Sequence, residues 1–475
     1  MGTLVSNYIN GELKDTIKDD SFCLENPATG EVINPGFSSP LEDVEAALAA
    51  SWKIFDSGYS ATASAERAAY VDRMADYLDG VVDDIAETEA LATGVPIRQT
   101  KPLAKVVPFA FRKAAEYARH FDKDGEVDGP ASRVKLLYRA WGPALCLTPW
   151  NSPTPLAAHK VASALAAGAP VILKPSELVP AGPQWIAKAA MAADIPHGLL
   201  QLLNGDSKIG AHLVKDVRIK SISFTGGLEA GQRIGAEALQ RMCPVQFELG
   251  GHNPMVVAQG ADLDQAAHDL LLGLTTINGQ WCRAVGRLMV EGSVWPELKA
   301  KVLSVAKDLV IGNPLASETE MGPLVHSRHL RKLEAQIKER VSLGARALSL
   351  VDIGQISGSY MPPTLLEMVP RSMDVEEIFG PVASMHTFSS LDAALELIHE
   401  APHGLAAYVF GKAGSDIEKF ADKIRAGSVK LNGVSLKSLN ADAPRSCWGV
   451  SGLGEEGISE TYRFFQGVRT VGYTR

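Results

Sequence analysis

The sequence predicts an α/β protein whose first large domain is a doubly wound parallel sheet. Three observations predict it. Between Ala144 and Gly250, apolar runs of strand length alternate with helical periods, which is the pattern of βαβ units. A similar alternation restarts beyond Gly251, so a second α/β unit follows the first. The chain's 475 residues exceed what one core organises, and about three domains is the expectation for that length. Right-handed crossovers between the parallel strands would then lay helices on both faces of the first sheet.

Taken in order, residues 64–93 read as one long amphipathic helix, with Ala68, Val71, Met74, Ala75, Leu78 and Val82 on one face. The Gly- and Pro-containing stretch 125–132 reads as a break, followed by a strand over 134–138. The first alternation then has strands over 144–150, 170–174, 199–203, 219–224 and 245–248, separated by helices over 155–167, 183–193, 209–214 and 228–240. In the second unit, helices are expected over 263–276 and 296–309, and strands over 288–291, 382–388, 407–410 and 429–432.

Composition narrows the function classes. Hydrophobic content of 46% with 21% charged residues is ordinary for a globular enzyme. A net charge of −9 argues against nucleic acid or an anionic membrane as partner. The five cysteines, Cys23, Cys146, Cys243, Cys282 and Cys447, are scattered, odd in number and form no Cys-x-x-Cys pair. No disulfide framework or metal site is expected, and a reducing compartment, the cytoplasm, is. Residues 1–14 carry no apolar signal-peptide core, and the longest apolar stretch, 161–173, is broken by Gly168 and Pro170.

Chemistry enters with Cys282, in Asn278-Gly-Gln-Trp281-Cys282-Arg283, and with Glu248, which opens Glu248-Leu-Gly-Gly251. A thiolate attacks a carbonyl, and a carboxylate activates water to release the acyl group. Ser223-Phe-Thr-Gly226-Gly227 reads as a strand entering a glycine turn and then a helix, whose N-terminal N–H groups suit a diphosphate. It lacks the full Gly-x-Gly-x-x-Gly pattern, so alone it is also an ordinary tight turn. Lys174-Pro-Ser176-Glu177 ends a strand, where doubly wound sheets bind ligands, and its lysine and carboxylate suit a ribose. Trp150-Asn151 ends another strand, and a side-chain amide there can donate to an oxyanion. Glu376-Glu377-Ile-Phe379 offers a carboxylate and an apolar wall.

Together, in this order, these segments resemble the aldehyde dehydrogenase superfamily of hydrolytic, NAD(P)-dependent type, from Asn26-Pro-Ala-Thr-Gly30 to Ser451-Gly-Leu-Gly454. The resemblance implies Cys282 as nucleophile, Glu248 as base for thioester hydrolysis, and Asn151 with the Cys282 N–H as oxyanion hole. It implies Trp150, Lys174, Ser176, Glu177, Gly226, Gly227, Glu377 and Phe379 as cofactor contacts, many relatives carrying Ser at the position of Gly227. The activity implied is oxidation of an aldehyde to the free acid. Relatives that pass the acyl group to coenzyme A generally lack the glutamate. Glu177 favours NAD, with NADP as the alternative.

Where most relatives read Pro-Phe-Gly-Gly, this chain reads Pro444-Arg445-Ser-Cys447. Arg445, Arg283 and His159, with Trp281 beside the nucleophile, are the expected substrate contacts. Together they imply a cationic pocket for a carboxylate-bearing or otherwise polar aldehyde. The fold implied has a Rossmann-like NAD domain (1–120 and 140–249), an α/β catalytic domain (250–449) and a small oligomerisation β-element (121–139 and 450–475). A homodimer or homotetramer follows from that element. The competing readings are a silent member kept as a binding protein and a coenzyme-A-dependent acylating relative.

Overall fold

The computed structural model describes residues 5–121, 124–130, 132–414, 416–434 and 443–474. Parts of three expected segments, namely 1–4 of the N-terminus, 122–123, 131 and 475 of the β-element, and 415 and 435–442 of the catalytic domain, lie outside the described residues.

The protein is α/β, with two large sheets and a small one. In the first sheet, five parallel strands run side by side in the order Leu200–Leu202, Val171–Lys174, Ala144–Leu147, Ser221–Thr225 and Val245–Glu248. The strand earliest in the chain lies in the middle, so the order reverses beside it. The pleat sends alternate residues to opposite faces. Cys146, Val171 and Leu173 pack under the helices Ser64–Asp79, Val106–Phe121, Pro153–Ala167 and Gln184–Ala192. Leu145, Leu147 and Ile172 pack under Leu41–Asp56, Ser207–Lys215 and Leu228–Leu239. Alanines at 157, 158, 162, 110, 114 and 118 line the contact of Pro153–Ala167 with Val106–Phe121, and small side chains let two helices approach closely.

This sheet is longer than expected and mixed. The hairpin Ser6–Ile9/Glu12–Asp15 adds antiparallel strands at one edge, and Gly452–Leu453 adds one at the other, beside Val245–Glu248. The segment 450–475 is therefore divided. Gly452–Leu453 joins the first sheet and Ile458–Phe464 packs on the helix Pro153–Ala167. Only Gln466–Thr474 joins the small sheet, where it pairs with Ser132–Ala140, itself paired with Gly125–Asp128.

Two further expectations are corrected. The helix over 64–93 is two helices, Ser64–Asp79 and Val82–Thr93, interrupted at Gly80 and Val81. The second buries Ile85, Ala86 and Ala90 and leaves Val82 only partly covered. The stretch beginning at Gly125 is not a break but the strand Gly125–Asp128, in which Glu126, Val127 and Asp128 are all exposed, so that no buried face marks it in the sequence. Ion pairing of Glu126 with Arg133 ties it to its neighbour.

The second sheet has the order Arg346–Ser349, Thr364–Glu367, Val382–Phe388, Val285–Glu291, Asn253–Val257, Ala406–Phe410 and Ser428–Leu431, all parallel except the first. Helices Leu263–Thr275 and Trp295–Ala306 cover one face, Leu391–Glu400 and Ile417–Ala421 the other. The chain crosses between the two sheets from Glu248 to Asn253, through the two glycines of the motif.

Candidate active site

Glu248 is the last residue of its strand, Asn151 lies between the strand Ala144–Leu147 and the helix Pro153–Ala167, and Cys282 precedes the strand Val285–Glu291. Strand ends of both sheets thus converge. The helix after Asn151 is anchored by Glu89, which accepts from the Thr154 N–H (3.1 Å) and hydroxyl (2.5 Å). A carboxylate suits that helix N-terminus.

The loop before Cys282 is held in an unusual conformation. Ile277 (φ 51°), Asn278 (φ 54°) and Gly279 (φ 73°) are all left-handed, which is strained for a β-branched side chain. Asn278 over-determines it, donating to Gly94 O (2.9 Å) and Pro323 O (2.8 Å) and accepting from Gly322 N (2.8 Å). On the other side, Asn253 donates to Cys282 O and Ala284 O, both at 2.8 Å, and accepts from Ala406 N at 3.0 Å. The Tyr408 hydroxyl donates to Arg283 O at 2.6 Å. The thiol therefore sits on a segment clamped from both sides.

The Cys282 thiol donates to Glu248 Oε1 at 3.2 Å. Burial, then the Glu248 charge, pushes the thiol well above its ordinary pKa, and Arg283 opposes the rise. Burial, then Glu456, pushes Glu248 up to about 7. Glu456 shares a hydrogen bond with Glu248 and behaves oppositely. Burial alone would raise it, but Lys160 first, and then Arg445, outweigh that and hold it ionised. Lys160 Nζ donates to Glu456 Oε1 (3.2 Å) and to Ser223 Oγ (2.9 Å) from a fully buried position. Asn151 spends one amide N–H on Gln280 O (2.9 Å), and its second donor remains for a ligand.

At the carboxyl ends of the first sheet's strands lies a cavity of about 700 Å³. Trp150, Lys174, Ser176, Glu177, Gly226 and Gly227 all line it. It opens where the strand order reverses, the place such sheets bind nucleotides. A side chain at Gly226 would strike the Phe224 ring at 2.4 Å, whereas one at Gly227 would meet nothing within 4 Å. The cradle at the start of helix Leu228–Leu239 is thus open where a phosphate would approach. Lys174 donates to Pro175 O (2.9 Å). Burial lowers its pKa, and the nearby Glu177 and Asp206 oppose this.

Glu377 and Phe379 do not line that cavity. The Glu377 carboxylate accepts from the Gly251 N–H at 2.9 Å, a closer partner for a buried acid than open space. Phe379 reaches the cavity only through Trp150, whose ring it meets edge-on at 5.3 Å.

The expected cationic pocket is not assembled. Arg283 is buried, its guanidinium donating to Ser428 Oγ (2.7 Å) and more weakly to Leu405 O (3.5 Å). His159 is buried against Thr461 Oγ1 (3.0 Å), and desolvation lowers it to about 3, so at neutral pH it carries no charge. Trp281 packs in the apolar core of the second unit. Arg445 alone keeps a partly exposed side chain, 3.9 Å from Glu456. A separate cluster, Cys23, Glu25 and His326, has metal-ligand residue types. His326 Nδ1, however, accepts from Arg328 N as a helix cap, so Nε2 keeps its proton and faces Glu25 and Cys23 O.

Three residues of the site escaped the sequence reading. Lys160 had a signal, a lysine in an otherwise apolar, alanine-rich helix, which requires a buried partner. Glu456 had none, since it follows a glycine turn like any surface acid. His329 packs edge-on to Trp150 at 5.0 Å and meets Phe379 O at 2.8 Å.

Comparison with known proteins agrees with this geometry. The model of the aldehyde dehydrogenase family matches residues 16–471. Betaine aldehyde dehydrogenase of Bacillus subtilis is 32% identical over 461 residues, covering 94% of this chain and 93% of that protein. Glutarate-semialdehyde dehydrogenase of Pseudomonas putida is 31% identical over 454 residues, covering 95% of this chain and 94% of its own. A crystal structure of betaine aldehyde dehydrogenase from Staphylococcus aureus in complex with NAD+ superposes with a TM-score of 0.93 at 27% identity, over 99% of this chain and 95% of that one. A thiol and a carboxylate in contact, beside a nucleotide-sized cleft, on a chain similar to these proteins from end to end, make it an oxidoreductase of aldehydes that belongs to the aldehyde dehydrogenase family.

Proposed function

We propose that the protein oxidises a polar aldehyde to its carboxylic acid with NAD, through a covalent acyl group on Cys282. The observation that carries the reading is the 3.2 Å contact between the Cys282 thiol and Glu248. Glu248 takes the thiol proton, and the thiolate adds to the aldehyde carbon. The resulting thiohemiacetal oxyanion meets the free amide N–H of Asn151 and the backbone N–H of Cys282. Bound NAD would supply the hydride acceptor that converts this adduct into a thioester. Trp150, Lys174, Ser176, Glu177 and the turn at Gly226 and Gly227 would hold it. Glu177 accepts from a ribose 2′-hydroxyl and repels a 2′-phosphate, which favours NAD over NADP. Once the thiol proton has passed from Glu248 to solvent, Glu248 draws a proton from water; the hydroxide adds to the thioester, the C–S bond breaks, and the Cys282 thiolate takes a proton back as the acid leaves. Glu456, held ionised by Lys160, raises the basicity of Glu248 for that step.

Arg445 supports a carboxylate-bearing or otherwise polar substrate, because among the three expected cations only it keeps exposed side-chain surface. Among the relatives, glutarate-semialdehyde dehydrogenase is named for a carboxylate-bearing aldehyde and betaine aldehyde dehydrogenase for a polar, cationic one, so both names support a polar substrate and only the first an anionic one. The long strand Gln466–Thr474 lies at an open sheet edge, which invites pairing with a second copy and supports a homodimer or homotetramer. Among the described residues no helix is long and apolar enough to cross a membrane. Separately, five free cysteines suit a reducing compartment such as the cytoplasm.

The test is NAD reduction by purified protein with matched neutral and carboxylate-bearing aldehydes, with Cys282→Ala alongside. Turnover that disappears in the variant is the expected result. Turnover only with added coenzyme A, or none with any aldehyde, would overturn it.

A further inference from the structure

We propose that Arg283 is a positioning residue for catalysis, a buried cation beside the nucleophile that holds the single negative charge shared by Cys282 and Glu248. The proposal rests on the reading of Cys282 as nucleophile.

Arg283 is 3% exposed. Its guanidinium hydrogen-bonds only neutral oxygens, Ser428 Oγ at 2.7 Å and Leu405 O at 3.5 Å. Among the described residues no carboxylate forms an ion pair with it. A buried guanidinium without a carboxylate is expensive, and a neutral side chain of similar length would fill the space at less cost. Something else in reach must compensate it, and the neighbouring negative charge is that of the thiol–carboxyl pair.

The charges around the thiol sort accordingly. Glu456 is matched by Lys160 at 3.2 Å, with Arg445 at 3.9 Å beyond. His159, also beside Glu456, is neutral. Cys447, a second thiol facing Glu248 and Glu456, is kept protonated by burial. Tyr408, whose hydroxyl holds Arg283 O, is neutral for the same reason. Lys430, stacked over the Tyr408 ring at 5.8 Å, is pushed down to about 8 by burial and then by Arg283 itself. Arg283, next to the nucleophile in the chain and without an ion pair among the described residues, thus remains the permanent cation whose charge lowers the pKa of both Cys282 and Glu248; Arg445, paired with Glu456, acts less on Glu248. When the thiol proton moves to Glu248 Oε1, the S–H bond breaks, an O–H bond forms, and the pair's charge stays at minus one. Arg283 stabilises that charge wherever the proton sits, and disfavours the doubly protonated pair, in which the thiol is inert.

The test is the pH dependence of Cys282 alkylation by iodoacetamide, without cofactor, with labelled sites located by mass spectrometry to separate Cys282 from Cys447. We expect Arg283→Met to react about tenfold or more slowly at pH 7, with its profile displaced to higher pH, and Arg283→Lys to stay near the parent. If Arg283→Met fails to fold, Arg283→Gln keeps a donor for Ser428 without the charge, and the same displacement is expected. A folded neutral variant whose profile overlays the parent's overturns the proposal. Undiminished aldehyde oxidation by Cys282→Ala would instead overturn the nucleophile reading on which it rests.

Discussion

Glu248 and Glu456 share a hydrogen bond, yet one is poised near neutrality while the other stays ionised. The difference lies in what stands behind each. Lys160 and Arg445 form ion pairs with Glu456, whereas Glu248 has Glu456 on one side, the Cys282 thiol on the other, and Arg283 acting on it through charge without an ion pair. Two acids in one dry pocket cannot both ionise freely, and the one without an ion pair takes the higher pKa.

The pH profile of turnover should show this. Glu248 must be deprotonated to act as base, and its pKa is raised to about 7, so activity should be lost as pH falls through about 7. Glu456 raises Glu248, hence Glu456→Gln should move the rising limb of kcat/KM towards acid. A limb that stays in place would mean that Glu248 is not the titrating group.

Glu248→Gln removes the acceptor of the thiol proton as well as the base for hydrolysis. Rapid mixing should record a burst of reduced cofactor slower than the parent's, followed by steady turnover slower by roughly 10²–10⁴, the usual range for loss of a general base. A burst at the parent's rate would mean that Glu248 acts only after the covalent step.

Glu177→Ala removes the carboxylate that repels a 2′-phosphate. The ratio of kcat/KM for NAD to that for NADP should fall about tenfold or more, with Cys282 alkylation unchanged. An unchanged ratio would show that the ribose lies elsewhere in the cavity.

Arg445→Met should reduce kcat/KM for a semialdehyde carrying a terminal carboxylate about tenfold relative to a neutral aldehyde of the same length. Equal losses on both would mean that Arg445 serves Glu456 and not the substrate.

Asn253→Ala should cost about 2–4 kcal/mol of stability, because two backbone carbonyls and one N–H lose a buried partner together. Thermal melting would show the loss. Alkylation of Cys282 should also change, since its own carbonyl is one of those released.

Much of this was legible in the chain. The strands Ala144–Leu147 and Ala406–Phe410 announce themselves as apolar runs, and Cys282, Glu248 and Asn151 do converge at strand ends. Ser6–Ile9 and Arg346–Ser349 were not foreseen, because the first carries buried Ser6 and Asn7 satisfied by partners near residue 204, and the second is an exposed edge. Orientation was harder still. That Glu377 would turn to the Gly251 N–H and Arg283 to Ser428 depends on acceptors and donors brought from far along the chain.

The strand Gly452–Leu453 lies against Phe247 and Glu248, and Glu456 follows directly after it. During synthesis, every residue from 249 to 451 must leave the ribosome before the edge beside Glu248 is covered and its partner acid arrives. A nascent chain therefore carries Cys282 as an ordinary thiol from its emergence until nearly the whole chain is made, and proteolytic loss of the last few dozen residues should uncover the edge beside Glu248 and slow thioester hydrolysis even where the first sheet survives.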